Sequence, residues 1–336
     1  MEANLVATEK GGLQKQRSPL DYPEKKEGFW QSIKGNTGAY TFLIPMTLAW
    51  VMFGIYPMIA SYWIVLYEWS GVGEPTRYVG MANFVKVVSD PFFWKAFRNS
   101  FIYAGFQVPI QLFIALVLAM VLNMKWLKWK ALFRTIFFLP SLMSRAIVGL
   151  VIALMLSPFN GVVNEWLVEL HILKQGFDWL GNPATAFPTV IAVGVWQTLG
   201  INLIYFSAGL QAIPTEMYEV AALDGASALQ RLFHITLPLI KPVFLIILIL
   251  ALIGALRVFE LVLVLTYGGP YYATEVVQTY IYKFAFAGTE VGGGRTAVGF
   301  ASAAALLMGV MVLGLTGLQV LLVTRLRRKR AEFFEQ

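Results

Sequence analysis

The sequence predicts an all-α integral membrane protein of about six spanning helices. Three observations predict it. Apolar residues make up 58% of the 336 and charged residues only 13%, where soluble domains carry about 25%. The apolar residues gather into runs long enough to cross the hydrocarbon, which takes about 20 helical residues. Between the runs lie turn residues and basic clusters, which separate and orient spans. The net charge of +7 falls largely at span ends, arguing for membrane orientation and against nucleic acid as a partner. With no Cys and two distant His, His171 and His234, neither a metal site nor a catalytic site is expected.

Residues 1–38 form a polar tail with Lys10, Lys15, Arg17, Lys25, Lys26 and Lys34, in which Phe29 and Trp30 suit the lipid interface. The tail and the apolar run after it are too long for a cleaved signal peptide. The first span, 40–67, contains Pro45 and Pro57, tolerable where neighbours satisfy the freed backbone. A polar stretch follows (68–98), then the second span (99–122) and a basic connection with Lys125, Lys128, Lys130 and Arg134. The third span, 132–156, holds Pro140 and Arg145. A turn-rich loop (157–186) leads to the fourth span (187–210), and the fifth runs over 239–266. Tyr267-Gly-Gly-Pro270 ends the fifth, because Gly-Gly-Pro does not readily continue a helix. The sixth span, 296–323, precedes Arg325, Arg327, Arg328, Lys329 and Arg330. Its Gly299, Gly309, Gly314, Gly317 and alanines make a small-surfaced helix, for packing within the bundle or against a partner subunit.

This organisation gives a tail (1–38), a membrane domain (39–324, core from 97) and a basic tail (325–336). The Lys and Arg distribution places both termini in the cytoplasm, and with them the loop at 214–241.

That loop is shaped. Thr215 is an expected N-cap, and Glu216 and Glu219 lie in or near the first turn, where the helix dipole favours negative charge. Asp224-Gly225 is an expected stop, since Gly takes the left-handed conformation freely. Ser227 then caps a second short helix, and Pro238 sits at the start of the fifth span. Two helices so short are not stable alone and need a surface to rest on, whether the bilayer, their own bundle or a partner.

Glu219, Ala221, Gly225, Ile235, Leu237 and Pro238 resemble the EAA-x3-G-x9-I-x-L-P signature of binding-protein-dependent ABC importer permeases. Both spacings match, and Val220 replaces the usual second residue, Ala. Other segments resemble the MalF-like carbohydrate permeases: Leu43-Ile-Pro45, Tyr56-Pro57, Val79-Gly80-Met-Ala-Asn83-Phe84, Phe138-Leu-Pro140 and Gly161-Val-Val-Asn164. Leu210-Gln-Ala-Ile-Pro214, Gly268-Gly-Pro270 and Ala273-Thr274-Glu275 belong with them, so the resemblance covers about residues 40–325. It implies the type I ABC importer fold in a bacterial or archaeal cell (inner) membrane. It also implies a second homologous permease, two copies of a cytoplasmic ATPase that binds ATP and Mg, and an extracytoplasmic sugar-binding protein. The loop would be the coupling helix that docks on the ATPase: Glu219 for polar contact, Ala221 and Ala222 for close approach, Asp224-Gly225 for the turn, and Ile235, Leu237 and Pro238 leading into the span.

No G-x-x-x-x-G-K-[ST] loop is present, and Gly292-Gly-Gly294 reads as a flexible turn, so the energy must come from another chain. Charges inside spans usually face a cavity or a partner. Arg145 on the third span, and Arg257 and Glu260 three apart on the fifth, are therefore expected on a translocation path or in structural contacts. Gln197, Asn202 and Tyr205 on the fourth span are neutral hydrogen-bonding groups for the same path, and Trp196 could stack on a sugar face. The competing readings are a glycerol-3-phosphate-type permease, a secondary transporter with an inverted repeat, and a membrane enzyme.

Overall fold

The computed structural model of the chain describes residues 37–75, 77–124, 126–288 and 296–334. Phe29, Trp30 and the rest of the polar tail, Lys125, and Gly292-Gly-Gly294 lie outside the described residues. The chain divides into two compact units, Met1–Ile59 and Ala60–Gln336.

The first unit holds helix α1 (Thr37–Trp50) and a π-helical turn at Val51–Ile55, which runs on into α2 (Tyr56–Ile64). The turn has a cause. Pro57 has no N–H to offer the carbonyl four residues back, and its ring crowds that carbonyl. The helix widens in response, and the Tyr56 N–H bonds to the Val51 carbonyl five residues back.

In the second unit, strands β1 (Tyr67–Glu68) and β2 (Arg77–Tyr78) pair antiparallel, Tyr67 opposite Tyr78. Helices α3 (Ala82–Ser89), α4 (Pro91–Asn123), α5 (Lys130–Leu142), α6 (Arg145–Met155) and α7 (Val162–Glu169) follow. The chain continues through α8 (Pro183–Gln211), α9 (Thr215–Leu223), α10 (Ala228–Arg231), α11 (Leu237–Leu256) and α12 (Glu260–Leu265). It ends with α13 (Val277–Tyr282) and α14 (Val298–Phe334). Among the described residues, five helices are long and apolar enough to cross a membrane, and six if the bent pair α5–α6 counts as one span.

The core lies where α4, α8, α11, α12, α13 and α14 meet, around the fully buried Phe93, Tyr103, Leu112, Leu203, Phe206, Leu261 and Tyr280. The α5–α8 crossing depends on Gly200: a Cβ there would lie 2.2 Å from the Phe137 carbonyl oxygen. Backbones that close are what small residues permit in lipid, where packing replaces the hydrophobic drive.

The structure corrects several boundaries. Pro91 starts the second span early, with the Asp90 side chain accepting from the Phe92 N–H at 2.8 Å as its cap. The third span is not continuous: α5 and α6 meet at 98° around Met143 and Ser144. Pro140 removes a helical donor just before the bend, and at the bend the Gln197 amide donates to the carbonyl of Met143, the C-cap, at 3.4 Å. The fifth span breaks at residues 257–259, with no proline involved. Val258 is buried and the Phe259 ring packs 5.2 Å from Tyr282, which turns the chain there. The sixth helix stays helical as far as Phe334, through the basic run.

The small residues of α14 divide in two. Ala301, Ala303, Ala304 and Met308 are buried against this chain's own bundle. A methyl group at Gly309, Gly314 or Gly317 would meet nothing within 4 Å.

Candidate functional site

Two regions carry the residues singled out by the sequence: the 214–238 loop and a cavity between spans. In the loop, Thr215 is not the N-cap. Pro214, extended at ψ 132°, caps α9 without a side-chain bond, and Thr215 is the first helical residue. Proline's fixed φ is already suited to that position. The helix ends in a Schellman motif: Gly225 N–H donates to the Ala222 carbonyl at 3.1 Å and Ala226 N–H to the Ala221 carbonyl at 2.8 Å. Gly225 stands at φ +77° with open space around it, so its backbone conformation, not its size, requires glycine. Ser227 then opens α10 with a reciprocal capping box to Gln230.

The second short helix is not a separate element. From Ala228 to Leu256 the chain is one helical run, with a π-helical turn at Leu232–Thr236 and Leu237 N–H bonding back to the Leu232 carbonyl. Pro238 causes this turn as Pro57 causes the first. The Tyr218 hydroxyl and Thr236 hydroxyl, 3.0 Å apart, tie α9 to it.

The signature residues fall into two sets. Glu219, Ala222, Asp224 and Gly225 are exposed, whereas Ala221, Ile235, Leu237 and Pro238 are half-buried. The first set faces outward from the bundle, and the second seats the loop on the helix below. Beside them, Met217, Val220, Leu223, Leu229 and Phe233 are exposed, Leu223 at 88%. A hollow of about 350 Å³ between the two helices is lined by Ala221, Asp224, Gly225, Arg231, His234 and Ile235, among others.

The cavity, of about 180 Å³, lies among α4, α6, α8, α11 and α12. Arg145, Gln197, Asn202 and Tyr205 line it together, four of the six residues named for the path. Arg257 and Glu260 do not. Both are exposed on either side of the break in the fifth span, and they form no pair: among the described residues the ion pairs are Glu68–Arg77 and Glu275–Lys283. The i, i+3 spacing means proximity only on an unbroken helix, and here the helix is broken. Trp196 is 46% exposed and absent from the cavity wall, since it points from the opposite side of α8.

Sequence reasoning missed Tyr103, Gln107, Gln111 and Thr198, which complete the polar wall. Two glutamines four apart in an apolar run were the available signal, because that spacing puts them on one helix face. Gln107 Nε2 donates to Gln111 Oε1 at 2.9 Å and to the Thr198 hydroxyl at 3.1 Å, and Thr198 bonds Gln111 as well. Gln107 Oε1, on a side chain only 3% exposed, has no hydrogen-bond partner among the described residues.

Beyond the spans, the 267–283 segment is knitted to α4. Asn99 donates to the Ala273 carbonyl at 3.2 Å and the Glu275 carbonyl at 3.0 Å, and Lys95 donates to the Tyr271 carbonyl at 2.8 Å. Glu275, 1% exposed, pairs with Lys283, whose ammonium also lies 4.8 Å from the Tyr267 ring centre. Burial pushes the Glu275 carboxyl up from its ordinary range, and Lys283 pulls it back. Burial also raises Tyr280, which donates to Asp90. Asn83 and Asn164 staple other loops: Asn83 donates to the Val65 carbonyl at 2.7 Å, and Asn164 holds Ser157, Phe177 and Trp179. Three of the segments resembling carbohydrate permeases outside the signature, those with Asn83, Asn164 and Glu275, thus supply structural fasteners.

A helical bundle of membrane length, with a polar hollow between its spans and a shaped loop beyond them, defines a transport permease component. A family model described as the binding-protein-dependent transport system inner membrane component matches residues 81–328. The chain belongs to that family and is a multi-pass inner-membrane protein. It is 35% identical over 282 residues to the probable ABC transporter permease protein YurN of Bacillus subtilis, covering 84% of this chain and 94% of YurN. It is 32% identical over 311 residues to the trehalose/maltose transport system permease protein MalF of Thermococcus litoralis, covering 93% and 98%. The lactose transport system permease protein LacF of Rhizobium radiobacter is 34% identical over 253 residues, covering 75% and 84%. Among solved structures, a bacterial ABC transporter involved in the import of the acidic polysaccharide alginate contains a chain with a TM-score of 0.76 and 27% identity. That match covers 89% of this chain and 99% of the other.

Proposed function

We propose that this chain is a membrane-spanning permease subunit of an ATP-driven importer that translocates a carbohydrate delivered by an extracytoplasmic binding protein. The observation that carries the reading is the 214–238 loop. It holds its shape through a Schellman turn and a capping box, yet leaves Val220, Leu223, Leu229 and Phe233 uncovered. A local fold that leaves its apolar face bare is built to be covered. In this reading a cytoplasmic ATPase covers it, and ATP and Mg bind to that subunit and not to this one. Glu219 orients the contact, Ala222 admits the partner's backbone, and Gly225 sets the turn.

The relatives' transport of lactose and of trehalose/maltose supports a carbohydrate cargo. The cavity wall of Gln197, Asn202, Tyr205, Gln107 and Thr198 offers neutral hydrogen-bonding groups suited to hydroxyls. At about 180 Å³ it is smaller than the roughly 300–1,000 Å³ of a complete ligand pocket. That supports a second homologous permease supplying the facing wall. Arg257 and Glu260, exposed beside the break, are available to that partner.

Purification in mild detergent is expected to recover an ATPase and a second six-span protein. Glu219→Lys should abolish sugar uptake in cells while membrane levels stay normal. Undiminished uptake in that variant would remove the coupling role.

A further inference from the structure

The wall that this chain supplies to the cavity carries one fixed charge among the described residues. Arg145 is the one Lys, Arg, His, Asp or Glu of the described residues on that wall, and no carboxylate of the described residues lies within 4.0 Å of it. It opens α6, an 11-residue helix, directly after the 98° bend, so the positive end of the helix dipole adds to the guanidinium. A cation at membrane depth without a counter-charge is costly, and such residues face a cavity or a partner that offsets the cost. Neutral hydroxyls are already served by the amides around it.

We infer that the cargo is an acidic carbohydrate, its carboxylate held by Arg145 on the cavity wall. This rests on the reading of the chain as a carbohydrate permease and names the chemical class within it. A planar guanidinium matches a carboxylate with two parallel hydrogen bonds. One cation suits the single charge of a uronate better than the two of a phosphate.

The test uses the complete importer, purified with its partner permease and ATPase and reconstituted in lipid nanodiscs. Binding is measured by calorimetry for cellobiouronic acid, for cellobiose as its neutral counterpart, and for glycerol 3-phosphate. Cellobiouronic acid should bind about 10–100-fold more tightly than cellobiose, the range one charge-assisted contact provides. Arg145→Gln should erase that preference, bringing cellobiouronic acid down to the affinity of cellobiose in the same variant, and Arg145→Lys should keep part of it. Equal binding of the two sugars, or equal loss of both in Arg145→Gln, would overturn the acidic class while leaving a carbohydrate permease in place. Tightest binding of glycerol 3-phosphate, or of none of the three, would overturn the carbohydrate reading as well.

Discussion

The two connections that flank the fifth span are built by opposite means. The 214–238 loop takes its shape from its own backbone: a Schellman turn at Gly225, a capping box at Ser227, and one hydroxyl contact between Tyr218 and Thr236. The 267–283 segment takes its shape from elsewhere. Asn99, Lys95, Ser100 and Asp90, all more than 170 residues away in sequence, bond into it, and a buried ion pair closes it. The first leaves large apolar side chains bare, and the second buries Glu275, Val276, Val277 and Tyr280. Locally capped structure can be presented to a partner without involving the core. Structure held by long-range bonds belongs to the core and resists being moved.

This contrast can be broken experimentally. The largest stability effect should come from Lys283→Met, which leaves a buried carboxylate unpaired at a cost of about 3–5 kcal/mol in SDS-denaturation equilibria. Glu275→Gln combined with Lys283→Met should recover most of it. Lys283→Met also removes the pull that opposes burial, so the Glu275 pKa in the folded state rises further. A folded-state pKa above the unfolded value means stability is present at low pH and lost as pH rises through the folded value. The single variant should therefore lose stability as pH rises from about 4 toward neutrality, whereas the double variant should show no such loss.

Gly225→Val comes next in stability and first in function. It forces a branched side chain to φ +77°, at roughly 1–2 kcal/mol, and should abolish uptake while the bundle's stability falls by no more than that. Gly225→Asn is the sharper half of the experiment. Asn tolerates the left-handed region and open space surrounds the residue, so uptake should largely survive. Loss in both variants would show that glycine is needed for close approach and not for the turn. Ser227→Ala, removing a cap worth about 1 kcal/mol, should produce the smallest change, a partial fall in uptake with the melting temperature of the complex nearly unchanged.

Much of the loop was legible because its determinants are local. Asp224-Gly225, Ser227 with Gln230, and Pro238 each act within a few residues of themselves. Thr215 was misread because two residue types competed for one cap, and proline's fixed φ won it. The cavity was half legible. Arg145, Gln197, Asn202 and Tyr205 declared themselves as polar groups in apolar runs. Arg257 and Glu260 gave the same signal and stand elsewhere, because a break in the fifth span turned them out.

By itself the sequence determined the solvent, the approximate number of spans, the spacing of the loop signature, and the local helix stop at Asp224-Gly225 and start at Ser227. These depend on composition and on neighbours close in the chain. The tertiary structure alone decided the 98° bend of the third span, the meeting of Arg145 with Gln107 and Gln111, and the exclusion of Trp196. Proline and periodicity tell where a helix yields and which face is polar. Only packing against other helices tells what that face will meet.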